Sequence, residues 1–151
     1  MVKGCTRFKI EEVSPSAKRF FRDLCELNAE DPERCLWKLQ RLHVVKLNED
    51  KELVEFYRTT GTIKSLPPSI GDLTSLKVLH LSGNQIEYLP EEIGNLENLE
   101  DLNVENNQLS SLPESVGMLK SLKKFACDAN ALKSLPPLLS KLQELRNLSA
   151  S

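Results

Sequence analysis

The chain has 151 residues, 20 of them basic and 22 acidic, for a formal charge of −2. That balance generates no strong field and points to neither nucleic acid nor an anionic membrane surface as partner. No apolar run is long enough to insert in a membrane, the first nine residues hold no signal-peptide-like stretch, and Val2 stands where myristoylation requires glycine.

From the N-terminus, the first pattern is helical. Ser14-Pro15 reads as an N-cap followed by proline at the first helical position, and Asp31-Pro32-Glu33 repeats that signal. A helix from about residue 15 to 28 places Ala17, Phe20, Phe21, Leu24 and Leu27 on one face. A second helix carries Cys35, Leu36, Leu39 and Leu42 and ends near His43. Residues 1–52 are read as a helical N-terminal cap over the open end of the downstream residues. An independent interaction module is the other reading, disfavoured because ~45 residues give little core.

Four cysteines are present, Cys5, Cys25, Cys35 and Cys127, with no Cys-x-x-Cys pair. They predict reduced thiols and a cytoplasmic setting, with Cys25 and Cys35 as packing residues near the apolar helix faces. Without a signal peptide, the sequon Asn147-Leu148-Ser149 is read as chance.

From residue 53 a period emerges. Leucines at 66, 89, 112 and 135 are each 23 apart and are followed by proline. Ile70-Gly71, Ile93-Gly94 and Val116-Gly117 align, as do Leu73, Leu96, Leu119 and Leu142. Each unit then runs through Leu76, Leu79, Leu81, Asn84, Ile86; Leu99, Leu102, Val104, Asn107, Leu109; and Leu122, Phe125, Cys127, Asn130, Leu132. Repeats therefore span 65–87, 88–110 and 111–133, with a partial copy at 134–151. Stepping back 23 from Leu76, Leu79 and Ile86 reaches Leu53, Phe56 and Ile63, a degenerate first repeat at 53–64. It departs from the pattern at Arg58, where an apolar residue is expected, and at Gly61, where Asn is expected. A helix capped by Asn48 and running to Glu55 or Phe56 is the competing reading of that segment.

The alternation of Leu79 and Leu81 with Val78, His80 and Ser82 is that of a short strand with one buried face. The Asn after each strand sits where the chain turns away, and stacking puts Asn84, Asn107 and Asn130 in a ladder serving backbone groups. Pro68 and Pro137 fix the backbone early in a helical turn on the return path. No unit buries its leucines alone, so neighbours must stack.

Residues 65–148 resemble the 23-residue class of leucine-rich repeats, Leu-Pro-x-x-Ile-Gly-x-Leu-x-x-Leu-x-x-Leu-x-Leu-x-x-Asn-x-Leu, as found in Ras-pathway scaffold and plant intracellular Ras-group repeat proteins. The resemblance implies an α/β fold: a right-handed solenoid with a parallel concave sheet and short helices or turns outside. It also implies protein recognition on the concave face, as in a cytosolic adaptor or scaffold; a regulatory or targeting subunit of an enzyme, or a repeat-domain fragment of a larger enzyme, is the alternative. The residues themselves predict no cofactor and no catalysis.

In this register the outward columns read Val54, Lys77, Glu100, Lys123, Arg146; Glu55, Val78, Asp101, Lys124, Asn147; Tyr57, His80, Asn103, Ala126, Ser149; and Thr59, Ser82, Glu105, Asp128, Ser151. The candidate protein-binding residues are Tyr57, Lys77, Val78, His80, Glu100, Asp101, Asn103, Glu105, Lys123, Lys124, Asp128 and Arg146. Strands about 4.8 Å apart let Lys77, Glu100 and Lys123, and Asp101 and Lys124, pair laterally. Those charges either satisfy one another or form a recognition surface with an acidic middle between basic flanks.

Catalytic signals are sparse. His43 and His80 have no sequence-adjacent nucleophile, Cys127 occupies a core slot, and Gly71, Gly94 and Gly117 follow the repeat, not a phosphate loop. The last repeat stops before its Asn turn, which predicts a raw edge at Leu142, Leu145 and Leu148. A longer solenoid, or self-association through that edge, would cover it.

Overall fold

The computed structural model describes residues 7–29, 31–41 and 45–151, and of Arg41 only the backbone. Cys5, Leu42 and His43 lie outside the described residues.

Helix α1 spans Pro15–Asn28, with Ser14 Oγ accepting from the Ala17 N–H at 3.3 Å. Helix α2 spans Pro32–Arg41, and Asp31 Oδ1 accepts from the Arg34 N–H at 3.0 Å. Both prolines thus sit in a first turn whose N–H groups have no intrahelical partner. Ala17, Phe20, Phe21, Leu24 and Cys25 form the buried face of α1. Leu27, expected on that face, is 52% exposed. The last turn of α1 meets the solenoid through Asn28 instead, which turns position 27 outward.

Cys25 and Cys35, expected as separate thiols, are joined in a disulfide between α1 and α2, with Cα atoms 5.7 Å apart. The packed helices bring them within the span that such a bond requires, a tertiary event that no local spacing announces.

Six strands form one sheet in chain order: β1 (Val45–Leu47), β2 (Leu53–Tyr57), β3 (Val78–His80), β4 (Asp101–Asn103), β5 (Lys124–Ala126) and β6 (Asn147–Ser149). β2 through β6 run parallel, while β1 pairs antiparallel with β2. The segment ahead of the first repeat is therefore not purely helical. Asn48 closes the β1–β2 hairpin, its Oδ1 accepting from the Glu52 N–H at 2.9 Å, rather than starting a helix. Lys51 takes the left-handed conformation in that turn, with φ of 62°.

On the return side each repeat makes a single 3-10 turn: Pro68–Asp72, Glu91–Asn95, Glu114–Met118 and Pro137–Lys141. These turns stack closely. A Cβ on Gly94 would lie 2.7 Å from the Ser115 carbonyl oxygen, so only glycine lets the two turns approach.

Between sheet and turns runs one continuous core. Leu79, Leu102 and Phe125 fill one column, and Leu81, Val104 and Cys127 the next, all buried. At the N-terminal end Phe56 takes the place of the column leucine and is packed edge-on by Phe20 and Phe21, with centroids 5.6 and 5.7 Å away. Phe8 stacks on Phe21 at 4.7 Å, so an aromatic cluster joins cap to solenoid. Of the leucines expected at a raw edge, Leu142 is buried, Leu145 is half-buried against the core, and Leu148 is 46% exposed.

The Asn ladder closes the polar accounting. Asn107 Oδ1 accepts from the Ile86 N–H at 3.0 Å, and its Nδ2 donates to the carbonyls of Leu81 (2.9 Å) and Val104 (3.0 Å). Asn84 serves Ile63, Arg58 and Leu81 in the same way, and Asn130 serves Leu109, Val104 and Cys127. Gly61 stands where the ladder would begin, and a Cβ there would lie 2.6 Å from Asn84 Oδ1.

Asn107→Ala leaves the buried Ile86 N–H unpaired and takes one of two donors from the Leu81 and Val104 carbonyls, which Asn84 and Asn130 still serve. It should cost about 1–3 kcal/mol in urea unfolding; no measurable loss would show that water replaces the amide. The disulfide closes a short loop, with a sequence separation of 10. Replacing both cysteines by serine should lower stability by roughly 2–3 kcal/mol, and non-reducing peptide mapping should recover Cys25 and Cys35 in one linked fragment.

Candidate functional site

The parallel register fixes which side chains share the concave face. Glu55, Val78, Asp101, Lys124 and Asn147 are lateral neighbours, as are Tyr57, His80, Asn103, Ala126 and Ser149. Phe56, Leu79, Leu102, Phe125 and Leu148 lie between these columns in sequence and point the other way. Lys77, Glu100, Lys123 and Arg146 precede the strands, and their N–H groups continue the ladder: Lys77 to Val54, Glu100 to Lys77, Lys123 to Glu100 and Arg146 to Lys123. Glu105 and Asp128 follow the strands on the same side, beside Asn103 and Ser149. The structure thus brings all twelve candidate residues to one surface.

The pairing within that surface differs from the lateral pattern expected. Glu100 does meet Lys123, at 2.7 Å. Asp101 meets His80 Nε2 at 3.0 Å and not Lys124. An ionised carboxylate only accepts, so Nε2 carries the proton in this contact. His80 is short and half-buried, and its ring is fixed edge-on against Tyr57 at a centroid distance of 5.0 Å. It is thereby aimed at Asp101, whereas Lys124 extends into solvent.

Tyr57 Oη donates to Glu55 Oε2 at 2.9 Å, and Lys46 Nζ bonds Glu55 Oε1 at 2.8 Å. A chain of contacts, polar except for the Tyr57–His80 ring packing, therefore crosses the face from Lys46 through Glu55, Tyr57 and His80 to Asp101. Lys46 lies on β1, an antiparallel strand outside the repeat, and only the β1–β2 pairing brings it to Glu55. Asn103 Nδ2 donates to Glu105 Oε2 at 2.9 Å, while Asp128 accepts from the Ser149 hydroxyl and, at 2.6 Å, from the Ser151 N–H and hydroxyl.

The carboxylates of the expected acidic middle are thus engaged by neighbours on their own face. The charged groups that stand exposed there are Lys77, Lys124 and Arg146. Lys124 and Arg146 border a shallow concavity of about 520 Å³ over β3–β6, which His80, Asp101 and Asn103 also line.

These contacts shift the acids. Burial pushes the Glu55 carboxyl up, but the bonds from Lys46 and Tyr57 and the charges of Lys46 and His80 outweigh it and hold the group below its ordinary value. The Lys123 bond holds Glu100 low, against a smaller opposing effect of burial. Asp128 is held low first by the Ser151 hydroxyl.

Chemically the face offers recognition groups more readily than reacting ones. Burial pushes the Cys127 thiol up to about 11, with the charges of Asp128 and Glu105 adding to the effect, so almost no thiolate exists at neutral pH. Among the described residues no group of three His, Cys, Asp or Glu side chains is placed to hold a metal ion. No described helix is long and apolar enough to cross a membrane.

A family model described as a leucine-rich repeat region matches residues 35–151. The chain belongs to the leucine-rich-repeat family. The match begins within α2, ahead of the first strand that the 23-residue period reaches. Among solved structures, a leucine-rich-repeat protein of Leptospira interrogans is 34% identical, with a TM-score of 0.63 over 76% of this chain. The chain spans only 26% of that protein's length. The leucine-rich-repeat ectodomain of the receptor kinase SOBIR1 from Arabidopsis thaliana shares the fold at 23% identity, with a TM-score of 0.72, over 92% of this chain and 80% of its own. An internalin of Listeria monocytogenes does so at 23% identity and a TM-score of 0.57, over 80% of this chain and 38% of its own. No curated protein sequence matches the chain.

A carboxyl held below its ordinary value when folded stabilises the protein above its unfolded value, and that contribution is lost as pH falls through the folded one. For Glu55 and Glu100, stability should be level above the unfolded value of 4.5 and decline below it. Chemical denaturation between about pH 5 and 3 should show this decline, and Glu55→Gln should flatten it; an identical acid limb in the variant would mean that the Lys46–Glu55–Tyr57 contacts do not contribute.

Proposed function

We propose that the chain is a non-catalytic adaptor that holds a protein partner on the concave face of its repeats. The observation that carries the reading is the preorganisation of that face. Five parallel strands hold the outward columns in register, Glu55, Tyr57, His80 and Asp101 are already fixed by one another, and Asn103 is fixed by Glu105. A surface whose side chains are ordered before binding loses less entropy when a partner docks. Val78, half-buried between Glu55 and Asp101, supplies an apolar contact, while Lys77, Lys124 and Arg146 supply exposed charge.

Five strands with about three outward residues each offer roughly 15 positions. Stable interfaces use ~20–30 residues a side. The partner therefore reaches past the strands, onto the β1 edge or the loops that follow β2–β5, or binds with modest affinity. Some transient signalling encounters sit at the small end of interface sizes, which suits a scaffold of this kind.

The reading carries a compartment with it. A cytoplasmic adaptor would hold Cys25 and Cys35 as thiols in the cell and form the Cys25–Cys35 bond of the structure only on oxidation after isolation, because disulfides persist in oxidising settings. Protein alkylated before lysis and then mapped distinguishes the two: alkylated thiols mark the cytoplasm, and the linked fragment marks an oxidising compartment.

The binding test compares the native chain with a His80→Ala, Glu100→Lys, Asp101→Lys variant of unchanged circular dichroism and melting temperature. Host extract is passed over both, and recovered proteins are quantified by mass spectrometry. A partner retained by the native chain and lost by the variant is the expected result. A partner recovered equally by both would move the interface off the concave face and end this reading.

A further inference from the structure

Where later repeats bury Leu81, Val104 and Cys127 in an inward column, the first repeat carries Arg58. Its backbone keeps the repeat geometry. The Arg58 N–H donates to the His80 carbonyl at 2.8 Å, and its own carbonyl accepts from Asn84 Nδ2 at 2.6 Å. The half-buried side chain thus starts from a core-facing position and lines a cavity of about 410 Å³ between the helical cap and the first repeat.

Leu24, Leu39 and Ile63 give this cavity apolar walls, and Arg34 and Lys38, one turn apart on α2, add two further cations. Among the described lining residues Asp31 is the single carboxylate, and its Oδ1 already caps α2. Arg34, Lys38 and Arg58 form no ion pair among the described residues.

Folding alone disfavours this arrangement. A partly desolvated guanidinium with no ion pair among the described residues is destabilising, and an aliphatic side chain would suit the core-facing slot better. The cavity also stands open before any ligand arrives. The Asn28 side chain accepts from the N–H groups of Lys64 and Ser65 at 2.6 and 3.0 Å and donates to the Ser65 carbonyl at 2.7 Å, pinning one wall. The Cys25–Cys35 bond ties together the helices that form the other. Ligand sites are typically preformed, roughly 300–1,000 Å³, and combine apolar walls with a few placed charges.

We propose that this cavity binds an aliphatic carboxylate. Its apolar body lies against Leu24, Leu39 and Ile63, and its carboxylate faces Arg58, whose guanidinium offers two parallel N–H donors. Arg34 and Lys38 complete the cationic wall. The site is apart from the concave face and does not depend on the adaptor reading. A free organic acid and the C-terminus of a polypeptide share this chemistry, and the experiment separates them.

The full chain, labelled with nitrogen-15, is titrated with hexanoate, with hexanamide, and with the peptide Ala-Ala-Ala-Leu-Leu carrying a free or an amidated C-terminus. Saturable amide shifts at residues 24–39 and 58–63 are expected with hexanoate or the free-ended peptide, and roughly tenfold weaker binding with the neutral counterparts. Hexanoate alone marks a free acid as the ligand; the free-ended peptide marks a chain terminus. Arg58→Leu should melt above the native chain yet lose about tenfold or more in affinity. Arg34→Gln with Lys38→Gln, at exposed helix positions, should leave melting unchanged and weaken binding, and carries the test if Arg58→Leu fails to fold. The proposal is overturned if neither carboxylate gives saturable shifts, if the neutral compounds bind equally well, or if the cation variants keep full affinity.

Discussion

Each repeat of this solenoid must reverse direction just after a strand, and the reversal buries backbone N–H and C=O groups that no strand or helix can pair. The amide of Asn84, Asn107 or Asn130 answers this with one acceptor and two donors. Each amide bonds backbone of its own repeat and of the preceding one, as when Asn107 reaches Leu81 and Ile86 as well as Val104. The spacing of the strands, the register of the concave columns and the stacking of the 3-10 turns all follow from backbones held at this separation. The leucine columns supply the larger share of the free energy. The asparagines determine that the leucines assemble in this geometry and not in a looser one.

The N-terminal joint shows what happens where the constraint lapses. At Gly61 the ladder ends, and at Arg58 the inward column carries a charge. Other interactions take over: the Phe8, Phe20, Phe21 and Phe56 cluster, the Asn28 clamp on residues 64–65, and the Arg19–Asp72 ion pair at 3.6 Å. They seal the cap against the first repeat on one side and leave a cationic cavity on the other. A residue that breaks a repeat pattern is a better pointer to such a place than one that keeps it, because the pattern already encodes what packing alone requires.

The concave face illustrates a second consequence of strand spacing. Side chains about 4.8 Å apart on adjacent strands find one another before any partner arrives. His80 with Asp101 and Glu100 with Lys123 are such matches, and each lowers the amount of unsatisfied charge that the face presents. What remains outward is a set of longer cations around an ordered polar centre. Likeness to a plant receptor ectodomain and a bacterial internalin shows the fold that carries this face; the partner is a matter of these particular side chains.

The 23-residue period determined much of this on its own. Inward and outward columns, the Asn ladder, the turn prolines and the core slot of Cys127 are all local consequences of a repeat whose units see nearly identical neighbours. Both helices were equally legible, since Ser14-Pro15 and Asp31-Pro32 are signals written within one turn. Tertiary structure decided what depends on residues far apart in the chain. The Cys25–Cys35 bond needs two helices packed together, and Asn48 closes a hairpin only because β1 returns along β2. Leu27 faces solvent because the solenoid meets Asn28, and Asp101 selects His80 over Lys124 because the Tyr57 ring holds the imidazole in place. Sequence periodicity specifies which face a residue occupies; side-chain length, ring packing and the approach of distant segments specify whom it touches there.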